Sequence, residues 1–285
     1  MSSEFNKIAV LGRREDPRVG EPLQALTKHL LAAGITVLGE PDFDGDADLI
    51  IAIGGDGTML YAAGTVAGSD VPLLGINRGR LGFLADVTPD EMITSVDHVL
   101  AGNYTRDSRL LLEATLERAD GSRTVANAFN DVVLQRRETG RMLDFETLVG
   151  GRYVNTHSGD GLVVSTPTGS TAYALSCGGP IIQPQLDAVV IVPVCPHTLT
   201  DRPIVVPSSE PIEIGLLERD DTKAEITVDG NSLGEFMADD KLTICAADSR
   251  MTLLHPPGYD YYEILRSKLY WGRDSRNRGD RARKS

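Results

Sequence analysis

The first hundred residues alternate apolar runs of strand length with segments whose apolar residues recur at helical spacing. Four runs predict strands, namely KIAVLG (7–12), ITVLGE (35–40), DLIIAIGG (48–55) and VPLLGIN (71–77). The segment EPLQALTKHLLAAG (21–34) predicts a helix whose apolar face is formed by Leu23, Leu26, Leu30 and Leu31. Gly34 fits the C-terminal cap of that helix. Strands that alternate with helices in this way predict a mostly parallel sheet with helices on both faces.

A further helix is predicted close to residue 90. Thr88, Pro89 and Glu91 have the spacing of a capping box with proline at the first helical position. The helically spaced apolar residues that come next, before Gly102, are Ile93, Val96, Val99 and Leu100. This helix would close the α/β part of the chain.

Beyond residue 102 the helical period becomes scarce and turn signals become frequent. The stretch RLLLEATLERADGSRTVANAFNDVVLQRR (109–137) predicts two strands around an Asp120-Gly121 turn. The stretch FETLVGGRYVNTH (145–157) predicts two more around Gly150-Gly151. One short helix is expected near TGSTAYALS, and YYEILRSKLYWG (261–272) regains helical spacing.

These patterns predict an α/β plus β architecture in three parts. A Rossmann-like α/β domain is expected over residues 1–102, and a β-rich, sandwich-like domain over residues 103–260. The C-terminal part, residues 261–285, is expected to form a helix that returns to the first domain. It ends in a basic tail, RDSRNRGDRARKS, whose composition predicts disorder.

The charge balance limits the partners that the chain can bind. It has 28 Lys and Arg against 41 Asp and Glu, a net charge of −13 and a pI near 4.8. Such a surface repels nucleic acid and anionic membranes, so we expect neither as a partner. An anionic ligand must therefore be bound by a local structural feature of its site.

The cysteines and the N-terminus favour a cytoplasmic protein. Cys177, Cys195 and Cys245 are odd in number and widely spaced, which favours idle thiols over a disulfide framework or a zinc site. The N-terminal residues do not resemble a signal peptide, and no apolar run approaches the roughly 18 residues of a membrane helix.

The strand predicted at 48–55 leads into Gly54-Gly55-Asp56-Gly57-Thr58. Glycines at the carboxyl end of a parallel strand let backbone N–H groups approach a phosphate chain, and a helix starting near Thr58 adds its positive dipole end. Asp56 would then be a general base toward a hydroxyl, or a partner of phosphate-bound magnesium. The alternative is a tight turn with Asp56 as an ordinary cap. The pattern is neither a Walker loop nor a full dinucleotide fingerprint.

A second dense stretch is GDGLVVSTPTGSTAYALSCGGPII (159–182). A strand is predicted at 162–164, and five Ser or Thr follow within the ten residues 165–174. Hydroxyls and backbone amides at a helix start suit phosphate, ribose or adenine edges. The alternative is a capping turn rich in Ser and Thr.

The third feature is Asn130-Asp131, placed inside the apolar run AFNDVVLQR. Such polar neighbours are costly to bury without partners. An acidic side chain at a strand end can bind a ribose diol, although an ordinary bulge or turn is an equal alternative.

Four segments together resemble the diagnostic segments of the NAD kinase family, in family order and at similar separations. They are GGDGTML (54–60), GINRGRLGFL (75–84), Asn130-Asp131 and DGLVVSTPTGSTAYALSCGGPI (160–181). The glycine-aspartate pentad alone is weak evidence, because lipid kinases and phosphofructokinases carry similar versions. The long serine- and threonine-rich segment is far more specific. The resemblance extends from about residue 5 to residue 271.

The resemblance implies a phosphotransferase with an alcohol acceptor. ATP would donate its γ-phosphoryl group, with a divalent cation such as Mg²⁺, to the 2′-hydroxyl of the adenosine ribose of NAD, giving NADP and ADP. It also implies a homodimer or homotetramer, because the family's NAD site is shared between subunits.

Residue by residue, the resemblance makes Asp56 the catalytic aspartate. It assigns NAD contacts to Asp56, Gly57, Asn130, Asp131, Arg141, Asp160, Thr171, Ala172, Tyr173, Ala174, Leu175, Ser176 and Asn231. No residue is assigned as a metal ligand. Arg78, Arg80 and Arg141 are candidate counter-charges for the phosphates, with plain solvent exposure as the alternative for the first two.

Two other classes of protein would share part of this pattern. A diacylglycerol-type lipid kinase carries the pentad, but GINRGRLGFL stands where that family's own downstream signature would be. A non-catalytic NAD-binding sensor would need Asn130-Asp131 and TGSTAY but not Asp56.

Overall fold

The computed structural model describes residues 4–39, 46–66, 68–78, 82–137, 142–217 and 223–271. These residues form two compact units. The first unit contains the described residues of 1–62, 71–106 and 253–285, and the second those of 63–70 and 107–252. The predicted tail at 273–285 lies outside the described residues.

The first unit is an α/β structure. Its elements up to residue 100 are β1 Lys7–Leu11, α1 Pro17–Ala32, β2 Thr36–Leu38, β3 Leu49–Gly54, α2 Asp56–Thr65, β4 Leu73–Asn77, a 3₁₀ turn Pro89–Glu91 and α3 Met92–Leu100. The strands pair in the order β2-β1-β3-β4, all in parallel. All six residues of β3 are buried, as expected of a central parallel strand covered on both faces.

Helix α1 starts four residues before the predicted segment. Asp16 caps it by accepting the Arg18 backbone N–H at 3.1 Å, and Pro17 occupies the first turn, where a missing N–H costs nothing. The predicted core residues Leu23, Leu26 and Leu30 are buried. Leu31 was wrongly assigned to this face. It is 58% exposed, because it lies about 100° around the helix from Leu30.

The capping box predicted at Thr88 is also corrected. The Thr88 hydroxyl donates to the Glu91 carboxylate at 2.6 Å and makes no bond to the helix backbone. The proline therefore opens a 3₁₀ turn, and α3 follows from Met92. Val96 and Val99 are buried as predicted.

The second unit is rich in β-structure. Its elements are β5 Thr105–Glu117, β6 Arg123–Ala128, β7 Asp131–Arg136, β8 Leu143–Val149, β9 Arg152–Gly159, β10 Gly161–Ser165, a 3₁₀ turn Gly169–Thr171, α4 Tyr173–Ser176, β11 Ala188–Val194, β12 Ile204–Pro207, β13 Ile212–Leu216, β14 Ala224–Val228, β15 Asn231–Phe236 and β16 Lys241–His255. An antiparallel sheet has the order β12-β11-β10-β7-β14-β15. Another set pairs in the order β16-β13-β8-β9, with β5 between β16 and β6.

Side chains from both sets of strands share one core. Leu134 and Leu162 of the antiparallel sheet belong to the same buried cluster as Phe145 and Ile214 of the other set. This arrangement is a β-sandwich, and with the first unit it confirms the predicted α/β plus β fold class.

The stretch 109–137 holds three strands and not the two that were predicted. The Asp120-Gly121 turn separates β5 from β6, but a second break at Phe129-Asn130 separates β6 from β7. Asn130 therefore lies in a turn, and Asp131 starts β7. The hairpin at Gly150-Gly151 is confirmed, with φ values of +57° and +72° at the two glycines.

The end of β16 and helix α5 (Tyr261–Leu269) belong to the first unit. Leu253 of β16 pairs in parallel with Leu73 of β4. Asp260 caps α5 by accepting the Tyr262 backbone N–H at 2.8 Å, and Ile264 and Leu265 are buried. No helix within the described ranges is long and apolar enough to cross a membrane.

Candidate functional site

The first group of candidate residues lies at the carboxyl end of β3. A Cβ atom on Gly54 would overlap Thr58 Oγ1, so this position requires glycine. A Cβ on Gly55 or Gly57 would meet nothing within 4 Å. Two glycines thus leave open space beside the first turn of α2, where a phosphate chain could approach the backbone.

The carboxylate of Asp56 is held by the loop that precedes Ala85. It accepts the backbone N–H groups of Phe83 and Leu84, each at 3.2 Å. A Cβ on Gly82 would overlap Asp56 Oδ1, which explains why position 82 is a glycine. Among the described residues these are its hydrogen bonds, so Asp56 is not the ordinary helix cap that the alternative interpretation required.

A cavity of about 470 Å³ lies beside the first turns of α2. Its lining residues are Gly12, Arg13, Arg14, Glu15, Gly57, Thr58 and Tyr61. Position 12, just after β1, requires glycine, because a Cβ there would be 2.7 Å from Val19 Cγ1 and 2.8 Å from the Ile53 carbonyl oxygen. The lining therefore brings two arginines and one glutamate to Gly57 and Thr58, and this net positive charge suits an anionic ligand.

The sequence interpretation did not find Arg13 and Arg14. Both follow β1 at the sheet edge where GGDGT follows β3, and adjacent parallel strands place such residues together. Among the arginines predicted as counter-charges, Arg78 donates to the Asp16 carboxylate at 3.1 Å, and its side chain is 44% exposed. Arg80 and Arg141 lie outside the described residues.

The second group of candidate residues lies in the second unit, around the turn between β6 and β7. The Asn130 carbonyl oxygen accepts the Thr166 backbone N–H at 2.9 Å and the Ser165 hydroxyl at 3.1 Å. A Cβ on Gly169 would overlap the same oxygen. The predicted Asn130-Asp131 pair and the serine- and threonine-rich segment are therefore in direct contact.

Most hydroxyls of that segment bond to the protein itself. Thr166 donates to the Phe129 carbonyl at 2.7 Å, Ser170 to Pro167 at 2.6 Å, and Thr171 to Thr168 at 3.2 Å. Thr166 and Ser170 are fully buried. The buried hydroxyls thus fix the turn by bonding to its backbone, although neither the 3₁₀ turn nor α4 is capped by a side chain.

A buried ion pair supports the same segment. Arg109 is 2% exposed and bonds Asp107 at 2.6 Å, and its guanidinium also donates to Thr168 Oγ1 at 3.3 Å. The sequence interpretation did not single out Arg109, because one arginine at the start of an apolar strand gives no signal.

The Asp131 side chain is largely buried and accepts no hydrogen bond from the described residues. The residue is 7% exposed. Burial, and after it the negative charge of Asp229, raises the pKa of Asp131 to about 7. A largely buried carboxyl that accepts no hydrogen bond from the described residues is suited to a ligand that supplies donors.

Asp229 completes this cluster, and the sequence interpretation missed it. Its carboxylate accepts the backbone N–H groups of Phe129 at 2.7 Å, Asn130 at 2.8 Å and Asp131 at 3.0 Å. Asp229 and Gly230 have φ values of +48° and +81° and form the two-residue turn between β14 and β15. An Asp-Gly pair between two segments that alternate apolar and polar residues predicts a hairpin. This signal could have located the turn, but not the hydrogen bonds that Asp229 accepts.

The remaining candidates have varied surroundings. Tyr173 is 43% exposed and Ser176 is exposed, whereas Ala174 is buried. Thr171, Ala172 and Leu175 are half-buried. Asp160 forms an ion pair with Arg136 at 3.0 Å, and Asn231 is exposed just after the Asp229-Gly230 turn.

No side chain was predicted to be a metal ligand. In the part of the chain that the structure describes, no group of three or more His, Cys, Asp or Glu side chains could hold a metal ion. A cation at either group would depend on oxygens that a ligand provides.

Two family models match the chain. The ATP-NAD kinase N-terminal domain matches residues 14–104, and the ATP-NAD kinase C-terminal domain matches residues 129–255. The NAD kinase of Nitrosococcus oceani is 42% identical over 290 residues, which cover 96% of this chain and 99% of that protein. The NAD kinase of Teredinibacter turnerae is 45% identical over 290 residues, with the same two coverages of 96% and 99%.

Solved structures have a similar fold. Yeast NADH kinase complexed with NADH has a TM-score of 0.88 at 22% identity, covering 95% of this chain and 92% of that one. An NAD kinase from Archaeoglobus fulgidus in complex with ATP has a TM-score of 0.74 at 24% identity, covering 92% and 99%. Identity this low shows a shared fold alone.

Proposed function

This chain belongs to the NAD kinase family, and on that premise we propose that it transfers the γ-phosphoryl group of ATP to the 2′-hydroxyl of the adenosine ribose of NAD, giving NADP and ADP. The observation that carries the acceptor assignment is the buried Asp131 carboxyl without a donor among the described residues. A ribose hydroxyl supplies a donor, which is what this carboxyl lacks, and the 3′-hydroxyl can do so while the 2′-hydroxyl faces Asp56.

NAD is held, in this proposal, by residues of the second unit. Asn130 and Asp131 bind the dinucleotide, with Asp160, Arg141 and Asn231 contributing further contacts. The segment Thr171, Ala172, Tyr173, Ala174, Leu175 and Ser176 surrounds it. The exposure of Tyr173 and Ser176 is consistent with a homodimer or homotetramer in which this segment also reaches the NAD of a neighbouring copy.

The residues of the first unit handle phosphoryl transfer. Asp56 orients the 2′-hydroxyl and takes its proton, while the hydroxyl oxygen forms a bond to the γ-phosphorus and the bond to the bridging oxygen of ADP breaks. The two N–H donors on Asp56 fix the direction of its carboxylate. Gly57 lies beside it and leaves room for the substrate.

Positive charge for the phosphates comes from few sources in this acidic chain. Arg13 and Arg14 line the cavity beside Gly57, and we assign them to the phosphate chain of ATP. Magnesium characteristically keeps several waters and binds substrate phosphates, so the phosphate oxygens of ATP would be its main ligands and no protein cage is needed. When bound, the ion neutralises charge on the phosphate oxygens.

The comparisons give no support to the two alternatives, a diacylglycerol-type lipid kinase and a non-catalytic NAD-binding sensor. We place the reaction in the cytoplasm, where ATP and NAD are both available.

A coupled assay tests the proposal directly. Purified protein with ATP, magnesium and NAD should form NADP, detected by an NADP-specific dehydrogenase. Phosphorylation of diacylglycerol, with none of NAD, would establish the lipid kinase alternative. Binding of NAD with no turnover would establish the sensor.

A further inference from the structure

Three consecutive backbone N–H groups converge on one carboxylate in the second unit. They belong to Phe129, Asn130 and Asp131, and the acceptor is Asp229, about one hundred residues later in the chain. The contact is reciprocal, because the Asp229 backbone N–H donates to the Asp131 carbonyl oxygen at 3.0 Å. Four hydrogen bonds therefore fix the turn that carries the proposed dinucleotide contacts.

We infer that Asp229 is a positioning residue for NAD: it fixes the backbone of residues 129–131 and places a second negative charge beside the Asp131 carboxyl. This inference rests on the proposed function and names the residue on which the NAD site depends. Asp229 need not touch NAD itself, since its carboxylate is already used by the three N–H groups.

The conformation of Asp229 supports a dedicated role. Its φ of +48° is uncommon for a residue other than glycine, although aspartate tolerates it better than most. The preceding residue, Val228, pairs with Val132 of β7 on one side and with Asn231 of β15 on the other, so the hairpin tip is tied to β7 at a fixed register. The turn directs the carboxylate at residues 129–131, where an apolar side chain would leave three N–H groups unpaired.

The charge of Asp229 acts on a buried neighbour. The titratable groups that face Asp131 are Asp229, from the turn after β14, and Cys177, which follows α4. Ser165 of β10, which pairs with Asp131, is uncharged. Burial and the charge of Asp229 raise the pKa of Asp131 to about 7, while burial raises the pKa of Asp229 against the opposing effect of its three N–H donors.

Two consequences follow for NAD binding. An ionised carboxylate accepts hydroxyl hydrogen bonds more strongly than a protonated one, so NAD affinity should rise as the pH rises through about 7. Removal of the charge on Asp229 should lower the pKa of Asp131 and move this rise to lower pH. A residue that only stabilised the fold would not move the pH profile.

The test compares Asp229→Asn with Asp120→Asn by calorimetric titration of NAD over about 1.5 pH units on either side of neutrality. Asn keeps the shape and accommodates the positive φ, but it loses the charge and one N–H acceptor. Asp120 is the matched control, because it also precedes a glycine in a turn and accepts one backbone N–H, from Ser122 at 2.8 Å, but is exposed.

We expect Asp229→Asn to weaken NAD binding by roughly 10-fold at about pH 8 and to shift the midpoint of the pH profile to lower pH. The KM for ATP should change by less than about threefold, and Asp120→Asn should match the unmodified protein. An unchanged NAD affinity and midpoint in Asp229→Asn, or equal losses for NAD and ATP, would overturn the inference.

The unmodified protein provides a second test if Asp229→Asn fails to fold. Its NAD affinity must depend on pH with a midpoint near 7, and Asp131→Asn must abolish that dependence. A flat profile in the unmodified protein contradicts the inference. Absence of NADP formation in a protein that shows the profile would instead count against the proposed function.

Discussion

Asp56 is the first residue of α2 in the first unit and Asp131 is the first residue of β7 in the second, and their carboxyls have different surroundings. Asp56 is half-buried and accepts two backbone N–H groups from residues 83 and 84. Asp131 is 7% exposed, and no described residue donates to it. The first carboxylate is oriented by the protein in advance, whereas the second needs the donors of a ligand. This difference favours a chemical role for Asp56 and a binding role for Asp131.

The two regions also differ in the distances along the chain that their contacts span. The bonds of Asp56 join residues 27 and 28 positions apart. The bonds that build the Asp131 turn join residues 35 to 100 positions apart. A glycine loop is thus specified by a short segment, whereas the dinucleotide cluster depends on how distant strands pair.

The largest effect is expected from Asp56→Asn. It keeps the size of the side chain but removes its charge and basicity, so kcat should fall by roughly 10²–10⁴-fold with little change in NAD affinity. The measurement is kcat, with NAD titrated by calorimetry alongside. Asp48→Asn is the matched control in the same unit, because Asp48 also accepts two backbone N–H groups, from Asn6 and Lys7.

A near-normal kcat in Asp56→Asn would contradict the proposed roles, in which Asp56 serves the chemical step and Asp131 serves NAD binding. Loss of affinity for metal-bound ATP, partly rescued by high magnesium, would show instead that Asp56 mainly organises the cation.

A smaller and more selective effect is expected from Asp131→Ala. Loss of hydrogen bonds to a charged acceptor costs about 1.5–3 kcal/mol, so the KM for NAD should rise by about 10- to 100-fold. The KM for ATP should change far less. Initial rates with each substrate varied in turn provide the check, and equal increases for both substrates would contradict the assignment.

The buried hydroxyls of the second unit should affect stability more than binding. Thr166→Val leaves the Phe129 carbonyl and the Gly169 N–H without their partner, at a cost of about 1–3 kcal/mol in the free energy of unfolding. Thr171→Val, which removes a longer bond at a half-buried site, should cost less. Denaturant unfolding of both variants measures the difference. Normal stability of Thr166→Val combined with lost NAD binding would mean that this hydroxyl is a ligand.

The smallest effect is a pH dependence of stability. Asp131 has a pKa of about 7 when folded, against 3.8 as its ordinary value, so the folded state retains a proton that the unfolded state has released. Its favourable contribution is therefore complete below the ordinary value and is lost as the pH rises through about 7. Asp131→Asn should gain stability relative to the unmodified protein between about pH 6 and about pH 8, by about 1–2 kcal/mol. Thermal melts at both pH values check this, and a constant difference would contradict it.

The strands and helices of the first unit could be predicted from the sequence, because their signals are local. Examples are the continuous apolar run of β3 and the helical spacing of Leu23, Leu26 and Leu30. The Gly150-Gly151 hairpin could be predicted as well. The break at Phe129-Asn130 could not be predicted from the sequence. The carboxylate that accepts its backbone N–H groups belongs to Asp229, which lies in another hairpin.

The same limit applies to the candidate site. The residue types of Asn130 and Asp131 identified a polar pair in an apolar run, but only the fold shows that Asp131 is buried with no donor among the described residues. Arg13 and Arg14 were missed because no motif marks them, although their position after β1 brings them to the same cavity as Gly57.

The central claim is that the second unit holds NAD while the first unit phosphorylates one hydroxyl of it. The most direct test uses NAD that lacks the adenosine 2′-hydroxyl. This analogue should bind within about tenfold of NAD, because only one hydroxyl is lost, yet yield no phosphorylated product, whereas NAD should be phosphorylated at the adenosine 2′ position alone. Phosphorylation of the analogue, or a phosphate on the 3′ position or on the nicotinamide ribose, would contradict the account.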